Sequence, residues 1–335
     1  MKHRLFYIVI AILVIAPLGA AAAGILIGGG ILHPMNLNPN RLDEARQMLA
    51  RTGATKEDFV VRAPDGVELR GWKIHAASRT VSGYVLTNPE RTGDEWVFLF
   101  HGVSDNRTGD LGYSEFLLRN GYSLVVMDSR AHGQSGGAMA TYGWLERYDT
   151  VAVTNALFST EHVHHLYALG VSMGAAIALQ SAAVEPRIEA VVAEDPFENL
   201  REVSYDYAGL RLSPLLGKTL FRPAVYFAMR AVQKEGGFSP DDVSPEKAVA
   251  ARPFPVLLIC GTRDRTIPCR HAERIYAAAR GPKQLWIVPG ADHASAFGHS
   301  PAEYERRVIA FFEEAGKSSD GNSEVRQRCR GIPGA

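Results

Sequence analysis

Cysteine is scarce in this sequence, since only Cys260, Cys269 and Cys329 occur among its 335 residues. Their odd number and the absence of C-x-x-C spacing give no support to a zinc site or to a framework of several disulfides. Cys260 stands in the apolar run VLLIC and is expected to pack as a small hydrophobic residue. A disulfide between Cys260 and Cys269 is the alternative in an oxidising compartment.

Net charge is also absent, because 36 lysine and arginine residues balance 36 aspartate and glutamate residues. This balance does not favour nucleic acid or an acidic substrate as a partner. Glycines resembling a dinucleotide-binding loop occur only in ILIGGGIL, which lies in an apolar run with no strand-to-helix turn after it. A nucleotide-binding fold is therefore excluded, and the length allows one large α/β domain with additions or two ordinary domains.

The amino terminus contains the one long hydrophobic run. Residues 5–32 are 28 positions without a charged side chain, more than the roughly 20 apolar residues that cross a bilayer core. Lys2 and Arg4 precede the run, so a secretory signal cleaved before Gly24 is the alternative. Because apolar sequence continues past that point, we expect an uncleaved single-pass membrane anchor. Residues 1–40 would form the anchor and a linker, with the rest of the chain on the extracytoplasmic side.

Ala20, Gly24 and Gly28 recur within this run at four-residue spacing. Such spacing allows one helix to pack closely against another. Small residues are also ordinary filler in apolar segments, and this is the preferred interpretation from the sequence.

Short apolar segments alternate with helical patterns downstream of residue 95. The predicted strands are EWVFLFHG, YSLVVMDS, LYALGVS, IEAVVAED, PVLLICGT and KQLWIVPG. Near-continuous apolar strands separated by helices indicate a mostly parallel central sheet with helices on both faces. Ligands bind such sheets beyond the carboxyl ends of the strands, so the residues that follow each strand are the candidates for a site.

Four further segments complete the predicted organisation, in which an α/β domain covers residues 41–315. Residues 41–54 have a helical pattern, and the segment after them, centred on an Asp-Gly pair, predicts a β-hairpin. Residues 197–250 interrupt the alternation of strands and helices and are expected to form a helical lid over the strand ends. Residues 316–335 have no apolar periodicity and are expected to be a disordered tail.

Ser172 lies in the motif G-x-S-x-G, between Gly170 and Gly174, at a predicted strand-to-helix turn. In such a turn the serine has a strained backbone and its hydroxyl is exposed above the sheet. The motif alone also arises by chance, so its position after the strand LYALG and before a helix carries the argument. We therefore predict that Ser172 is a nucleophile.

A serine hydroxyl needs a base, and the base needs a carboxylate that fixes its tautomer. Among 11 histidines, His293 alone combines the expected chain position with the end of a predicted strand. Asp264 follows the strand PVLLICG and is the expected acid, while Asp195 follows IEAVVAE and is the competing one. The order Ser172, Asp264, His293 matches one of the known orders for this constellation.

Acyl transfer also requires hydrogen-bond donors for an oxyanion. The backbone N–H of Met173, directly after the nucleophile, is the first expected donor. The N–H of Val103, in the loop FLFHGVSDN, is the second, because Gly102 lets this loop approach the substrate. His101 is expected to brace the loop rather than to transfer protons.

Five ordered motifs resemble those of the α/β-hydrolase superfamily over about residues 57–314. They are FLFHGVSDN, VVMDSRAHGQSGG, GVSMGAA, LLICGTRDRTIP and PGADH. Within the superfamily the chain is similar to the membrane-anchored serine hydrolases of the BEM46-like group, whose bacterial relatives carry one amino-terminal span. The resemblance implies an α/β-hydrolase fold and the same nucleophile, acid, base and oxyanion donors. Ala131 departs from the family's usual glycine, and Cys260 from a common histidine.

These observations predict a serine hydrolase, of carboxylesterase or lipase-like type, that cleaves a small or lipid-like acyl substrate. The reaction would pass through an acyl-serine and require no metal or organic cofactor. An acyltransferase, a thioesterase or a peptidase would use the same three residues and is the alternative. A catalytically silent scaffold should have lost one of these residues, and none is missing.

Overall fold

The computed structural model describes residues 19–77, 91, 93–209 and 213–330. Its centre is an eight-stranded sheet in the order β1-β2-β4-β3-β5-β6-β7-β8. The strands are β1 (Thr55–Arg62), β2 (Glu68–His75), β3 (Glu95–Phe100), β4 (Ser123–Met127), β5 (His165–Val171), β6 (Ile188–Glu194), β7 (Val256–Gly261) and β8 (Lys283–Val288). Strand β2 is antiparallel to β1 and β4, and all other neighbouring pairs are parallel.

Helices flank the sheet and fill the interval between β6 and β7. In the described part of the chain they are α1 (residues 19–32), α2 (Leu42–Thr52), α3 (Leu111–Arg119), α4 (Glu146–Thr160), α5 (Met173–Val184), α6 (Leu200–Ala208), α7 (Pro214–Lys218), α8 (Arg222–Gly236), α9 (Pro245–Ala251), α10 (Arg270–Ala278), α11 (Ala296–His299) and α12 (Pro301–Arg330). Helices α6 to α9 lie in the interval for which the sequence predicts a lid.

The inner strands are apolar on both faces because helices cover both sides of the sheet. In β3, Val97 and Leu99 pack into one core while Phe98 and Phe100 pack into the other. This is the alternation that a pleated strand imposes. All four side chains are at most 5% exposed, which explains why the strand reads as a continuous hydrophobic run.

Helix α1 packs against α8. A Cβ added to Gly24 would lie 2.5 Å from the carbonyl oxygen of Ala224, and one added to Gly28 would lie 2.8 Å from that of Ala228. The preferred interpretation from the sequence, that these small residues have no packing role, is therefore wrong for Gly24 and Gly28, since both permit a close contact between two helices. Residues 1–18 of the expected anchor lie outside the described part. Among the described residues, no helix has both the length and the apolar character needed to cross a bilayer.

Helix α12 continues beyond the predicted end of the domain. It reaches Arg330, whereas the sequence analysis expects disorder over residues 316–335. The carboxylate of Asp320 lies 3.6 Å from Nε2 of His165, at the start of β5, so this part of the helix contacts the domain. The structure thus replaces the expected disorder with helix up to Arg330, and residues 331–335 lie outside the described part.

Cys260 and Cys269 form a disulfide. The structure therefore contains the alternative that the sequence analysis ranked second, and the side chain of Cys260 is also fully buried, as the preferred interpretation expects. Cys260 lies in β7, and Cys269 directly precedes the first residue of α10. Their separation of 9 residues spans the loop that carries Asp264. The sequence does not reveal that the two ends of this loop meet.

We expect Cys269→Ser to lower the free energy of unfolding by about 2 kcal/mol, because the open loop gains entropy in the unfolded chain. Urea unfolding with and without a thiol reductant measures this. The reductant should destabilise the wild-type protein to the level of the variant and leave the variant unchanged. Equal stability of the reduced and oxidised wild-type protein would contradict a structural role for the bond.

Candidate active site

Ser172 occupies the sharp turn between β5 and α5. Its φ is 56° and its ψ is −116°, a conformation that a residue with a side chain adopts only at a cost. A Cβ on Gly170 would lie 2.3 Å from the carbonyl oxygen of Gly174, and a Cβ on Gly174 would lie 1.9 Å from that of Phe100. Glycine is therefore required at position 170 for β5 and α5 to approach, and at position 174 because α5 begins directly against the end of β3.

Ser172, His293 and Asp264 form a continuous hydrogen-bonded series. The Nε2 atom of His293 lies 2.9 Å from Oγ of Ser172, and its Nδ1 atom lies 2.7 Å from Oδ2 of Asp264. A carboxylate accepts hydrogen bonds, so Nδ1 carries the ring proton and Nε2 presents its lone pair to the hydroxyl. The imidazole is thus oriented to accept the proton of the serine.

The loop after β7 fixes the orientation of Asp264. Its Oδ1 atom accepts hydrogen bonds from the backbone N–H groups of Thr266 and Ile267, at 2.7 Å and 2.8 Å. These bonds leave Oδ2 for His293. The disulfide closes the same loop, so local hydrogen bonds and a covalent link both hold the carboxylate in place.

Asp195, the competing acid, lies beside His293 but is engaged by other groups. Its Oδ2 atom is 3.7 Å from Nδ1 of His293, too far for a hydrogen bond, and it accepts the N–H of Ala294 at 2.7 Å. Its Oδ1 atom accepts the N–H of Gly261 at 3.3 Å. Burial and the charge of Asp264 raise the pKa of Asp195 well above its usual range. These features favour Asp195 as a positioning residue and Asp264 as the partner of the histidine.

Glu194 is a second buried carboxylate at the end of β6, and the sequence analysis does not single it out. Its Oε1 atom accepts the N–H of Ala296 at 2.9 Å, and its Oε2 atom accepts the hydroxyl of Tyr113 at 2.9 Å. Burial raises the pKa of Glu194. Together with its neighbour Asp195 it holds the segment that follows His293. The one feature of the sequence that could have indicated this role is the acidic pair Glu194 and Asp195, directly after the apolar residues of β6.

Val103 and Met173 line the same cavity as Ser172. Met173 is the first residue of α5, and N–H groups in the first turn of a helix have no acceptor within it. A Cβ added to Gly102 would lie 3.9 Å from Cβ of Ser172, so the loop before Val103 approaches the nucleophile. This placement supports the predicted donor roles, which stay predictions.

His101 lies beneath this loop and is fully buried. Its Nε2 atom accepts the N–H of Ser129 at 3.0 Å, and its Nδ1 atom donates to the carbonyl oxygen of Gly102 at 2.8 Å. Burial and the neighbouring His132 lower the pKa of His101 to about 4. Both ring nitrogens make hydrogen bonds and the ring is neutral, which fits the expectation that His101 supports the loop rather than transfers protons.

The turn after β4 contains Ala131 where the family usually has glycine. Its φ of 59° lies in the left-handed region, which explains the preference for glycine and costs alanine about 1 kcal/mol. The buried carboxylate of Asp128 accepts the N–H groups of Arg107 and Gln134, both at 2.7 Å. These hydrogen bonds maintain the turn with alanine in place.

An apolar cavity of about 460 Å³ opens beside Ser172. Its walls include Ile27 and Ile31 of α1, Leu200 and Val203 of α6, and Val225 and Ala228 of α8. A second pocket, of about 380 Å³, is lined by Ser172 and His293 together with polar groups that include Asp105 and Thr266. The serine therefore borders both an apolar space and a more polar one.

Asp195, Asp264 and His293 also place three atoms of metal-ligand type within 4.8 Å of one another. The Nδ1 atom of His293 and Oδ2 of Asp264 are 2.7 Å apart, a hydrogen-bond distance that leaves no space for an ion between them. The geometry is that of an acid and base pair.

The fold and this geometry define the class: an α/β scaffold that presents a serine, a histidine and an aspartate in series. Residues 96–307 match the model of the alpha/beta hydrolase family, and the chain belongs to this family. It is accordingly a hydrolase by family. The predicted fold class, an α/β-hydrolase fold with a mostly parallel sheet flanked by helices, is confirmed.

Curated relatives share similarity along most of this chain. The uncharacterized protein YqkD of Bacillus subtilis is 28% identical over 269 residues, which cover 79% of this chain and 82% of that protein. The uncharacterized protein YfhR of Salmonella typhimurium is 29% identical over 268 residues, which cover 79% of this chain and 84% of that protein.

Solved structures share the fold. The Pyrococcus furiosus esterase Pf2001 has a TM-score of 0.64 at 23% identity and covers 85% of this chain and 98% of its own. The Pyrococcus horikoshii acylaminoacyl peptidase has a TM-score of 0.55 at 15% identity and covers 78% of this chain and 41% of its own. At these identities the similarity establishes the fold alone.

Proposed function

We propose that this protein is a serine hydrolase that cleaves carboxylic esters of apolar acyl groups, with Ser172 as nucleophile, His293 as base and Asp264 as acid. The observation that carries the proposal is the pair of hydrogen bonds made by His293, 2.9 Å to Ser172 and 2.7 Å to Asp264. A neutral imidazole held in this tautomer can activate the serine, whereas a serine without a base is a poor nucleophile.

The reaction begins when Oγ of Ser172 attacks the ester carbonyl carbon and its proton moves to Nε2 of His293. The backbone N–H groups of Val103 and Met173 donate hydrogen bonds to the carbonyl oxygen as negative charge develops on it. The tetrahedral intermediate collapses as the C–O bond to the alcohol breaks, and the histidine gives its proton to the departing alkoxide. Asp264 stabilises the imidazolium during these steps.

The acyl-serine is then hydrolysed by the reverse sequence. A water molecule gives a proton to Nε2 of His293 and attacks the acyl carbonyl carbon. The second tetrahedral intermediate expels Oγ of Ser172, which recovers the proton from the histidine, and the carboxylic acid leaves. No redox step occurs, and water is the only co-reactant.

The cavity supports an ester of an apolar acyl group as the substrate. Its lining is mainly aliphatic, as expected for a space that holds an acyl chain. A thioesterase, an acyltransferase or a peptidase would use the same catalytic groups, because these activities differ in what enters the pocket.

Membrane attachment, the BEM46-like subgroup and an extracytoplasmic catalytic domain are also part of the proposal. The uncharged, apolar residues 5–18, which precede α1, support attachment to a membrane. The disulfide between Cys260 and Cys269 supports an oxidising compartment outside the cytoplasm.

Rates on p-nitrophenyl esters, on the matching thioesters and on anilides with the same acyl group test the reaction type. We expect esters to be turned over fastest, and kcat/KM to rise by about fourfold per methylene until the cavity is full. The full chain in detergent is the enzyme to use. Faster cleavage of the anilides than of the esters would contradict the esterase proposal and favour a peptidase.

A further inference from the structure

We infer that helix α1, the end of the hydrophobic amino-terminal run, is a wall of the acyl-binding cavity and sets the length of acyl chain that the enzyme accepts. The inference rests on the proposed esterase function. It assigns the second half of residues 5–32 to the substrate site, a role distinct from that of an anchor.

The carboxyl end of α1 is joined to the domain by hydrogen bonds. The carbonyl oxygen of Leu32 accepts the N–H of Ala140 at 2.9 Å, and that of Ile31 accepts the hydroxyl of Tyr142 at 2.8 Å. The side chain of Leu32 is fully buried. The helix therefore has a defined position relative to the catalytic domain.

His33 adds a link from the end of α1 to the lid. Its Nδ1 atom lies 2.7 Å from the carbonyl oxygen of Ala138, and its Nε2 atom lies 2.6 Å from Oε1 of Glu235 in α8. The hydrogen bond to Glu235 raises the pKa of His33. Helices α1 and α8 are thus connected at this end as well as along their lengths.

The contact along α8 depends on two glycines. The Cβ of an alanine at Gly24 would lie 2.7 Å from Cβ of Phe227, and one at Gly28 would lie 2.8 Å from Cβ of Ala231. Both distances are too short for carbon atoms, whose best separation is about 3.5 Å or more. Only glycine lets the two helices come this close, and the contact places α1 directly over the cavity.

A different face of α1 borders the cavity. Ile27, Gly30 and Ile31 line it, and their spacing of three and four residues puts them on one side of a helix. Ser172 lines the same cavity. Ile25 and Leu26, on the remaining face, are 59% and 78% exposed, and Ile27, at the edge of the cavity, is 53% exposed. Removing α1 would therefore open the cavity further on the side that Ile27, Gly30 and Ile31 border.

Three successive glycines provide a matched test, because each has a different environment. Gly28 contacts α8, whereas a Cβ on Gly29 or Gly30 would meet nothing within 4 Å. Gly30 lines the cavity and Gly29 does not. Gly30→Leu thus adds a side chain at the cavity, and Gly29→Leu adds the same side chain to the same helix away from it.

The experiment measures kcat/KM for p-nitrophenyl esters from acetate to dodecanoate with the full chain in detergent. Gly30→Leu should lower the ratio of kcat/KM on dodecanoate to kcat/KM on acetate by about tenfold or more, because each excluded methylene is worth about fourfold. Gly29→Leu should match the wild-type protein at every length. The same length profile for all three proteins would overturn the inference.

A second variant keeps the test decisive if Gly30→Leu folds poorly. Ile31→Ala removes atoms from the wall and leaves the carbonyl group that Tyr142 contacts, so the preferred acyl chain should become longer.

A fluorophosphonate label on Ser172 reports separately on the proposed function. A labelled wild-type protein that cleaves no acyl ester would refute the esterase proposal. An active wild-type protein with unchanged profiles in both variants would refute only the role of α1.

Discussion

Ser172→Ala should lower kcat/KM by about 10⁶-fold while the protein stays folded, as expected when an activated nucleophile is removed. The substitution deletes only Oγ, which makes no cap hydrogen bond to α5. Alanine also has the same backbone requirement as serine at a φ of 56°, so the turn should keep its shape. Ester hydrolysis and thermal unfolding, compared with the wild-type protein, measure the two parts of this prediction.

A fluorophosphonate supplies a readout of Ser172 that needs no substrate. Intact-mass analysis should show a single adduct on the wild-type protein and none on Ser172→Ala. Adduct formation on a folded Ser172→Ala protein would place the nucleophile elsewhere. The full chain is preferable for this experiment, because a truncation at residue 41 would remove the cavity wall formed by α1.

Asp264→Asn should lower kcat by about 10⁴-fold, since the amide no longer holds the histidine in the tautomer that accepts the serine proton. The side chain stays the same size, and its remaining oxygen can still accept the N–H groups of Thr266 and Ile267. We therefore expect the loss to appear in kcat with little change in the free energy of unfolding. Steady-state kinetics and urea unfolding of the same preparation measure both.

Asp195→Asn is the matched control for the acid. Its Oδ2 atom lies 3.7 Å from Nδ1 of His293, against 2.7 Å for Asp264, and its other contacts are to backbone N–H groups. We expect a loss of about tenfold, because one of those two backbone hydrogen bonds is weakened or lost. Full activity of Asp264→Asn combined with a large loss in Asp195→Asn would reverse the assignment of the acid.

Patterns within single segments were sufficient to predict the sheet. Strands such as β3 and β5 are continuously apolar because both faces are buried, and a run of that kind between helical segments is typical of a parallel sheet. The strand-to-helix turn at Ser172 was also predictable, since the motif G-x-S-x-G lies between an apolar run and a helical pattern, and the steric demand for glycine at position 170 comes from Gly174, four residues away. The resemblance added the expected order of the strand ends.

The end of α12 and the pairing of two cysteines were not predictable in the same way. The segment after residue 316 has no apolar periodicity, yet Asp320 lies close to His165 at the start of β5. Cys260 was expected mainly to pack as a hydrophobic residue because its neighbours are apolar, and the sequence offered the pairing with Cys269 only as an alternative. Each outcome depends on a contact that local sequence does not encode.

Hydrophobic periodicity and turn sterics are local properties, so the order of strands and helices, the fold class, and the candidates Ser172, Asp264 and His293 could all be predicted before any contact was known. The packing of the layers, in contrast, determines which aspartate lies within hydrogen-bond distance of the histidine, and it places α1 over the acyl cavity. Residues 121 positions apart along the chain form the bond between Ser172 and His293. Such contacts depend on how distant segments pack against each other. A shift of about one ångström is enough to turn a hydrogen bond into a contact without one.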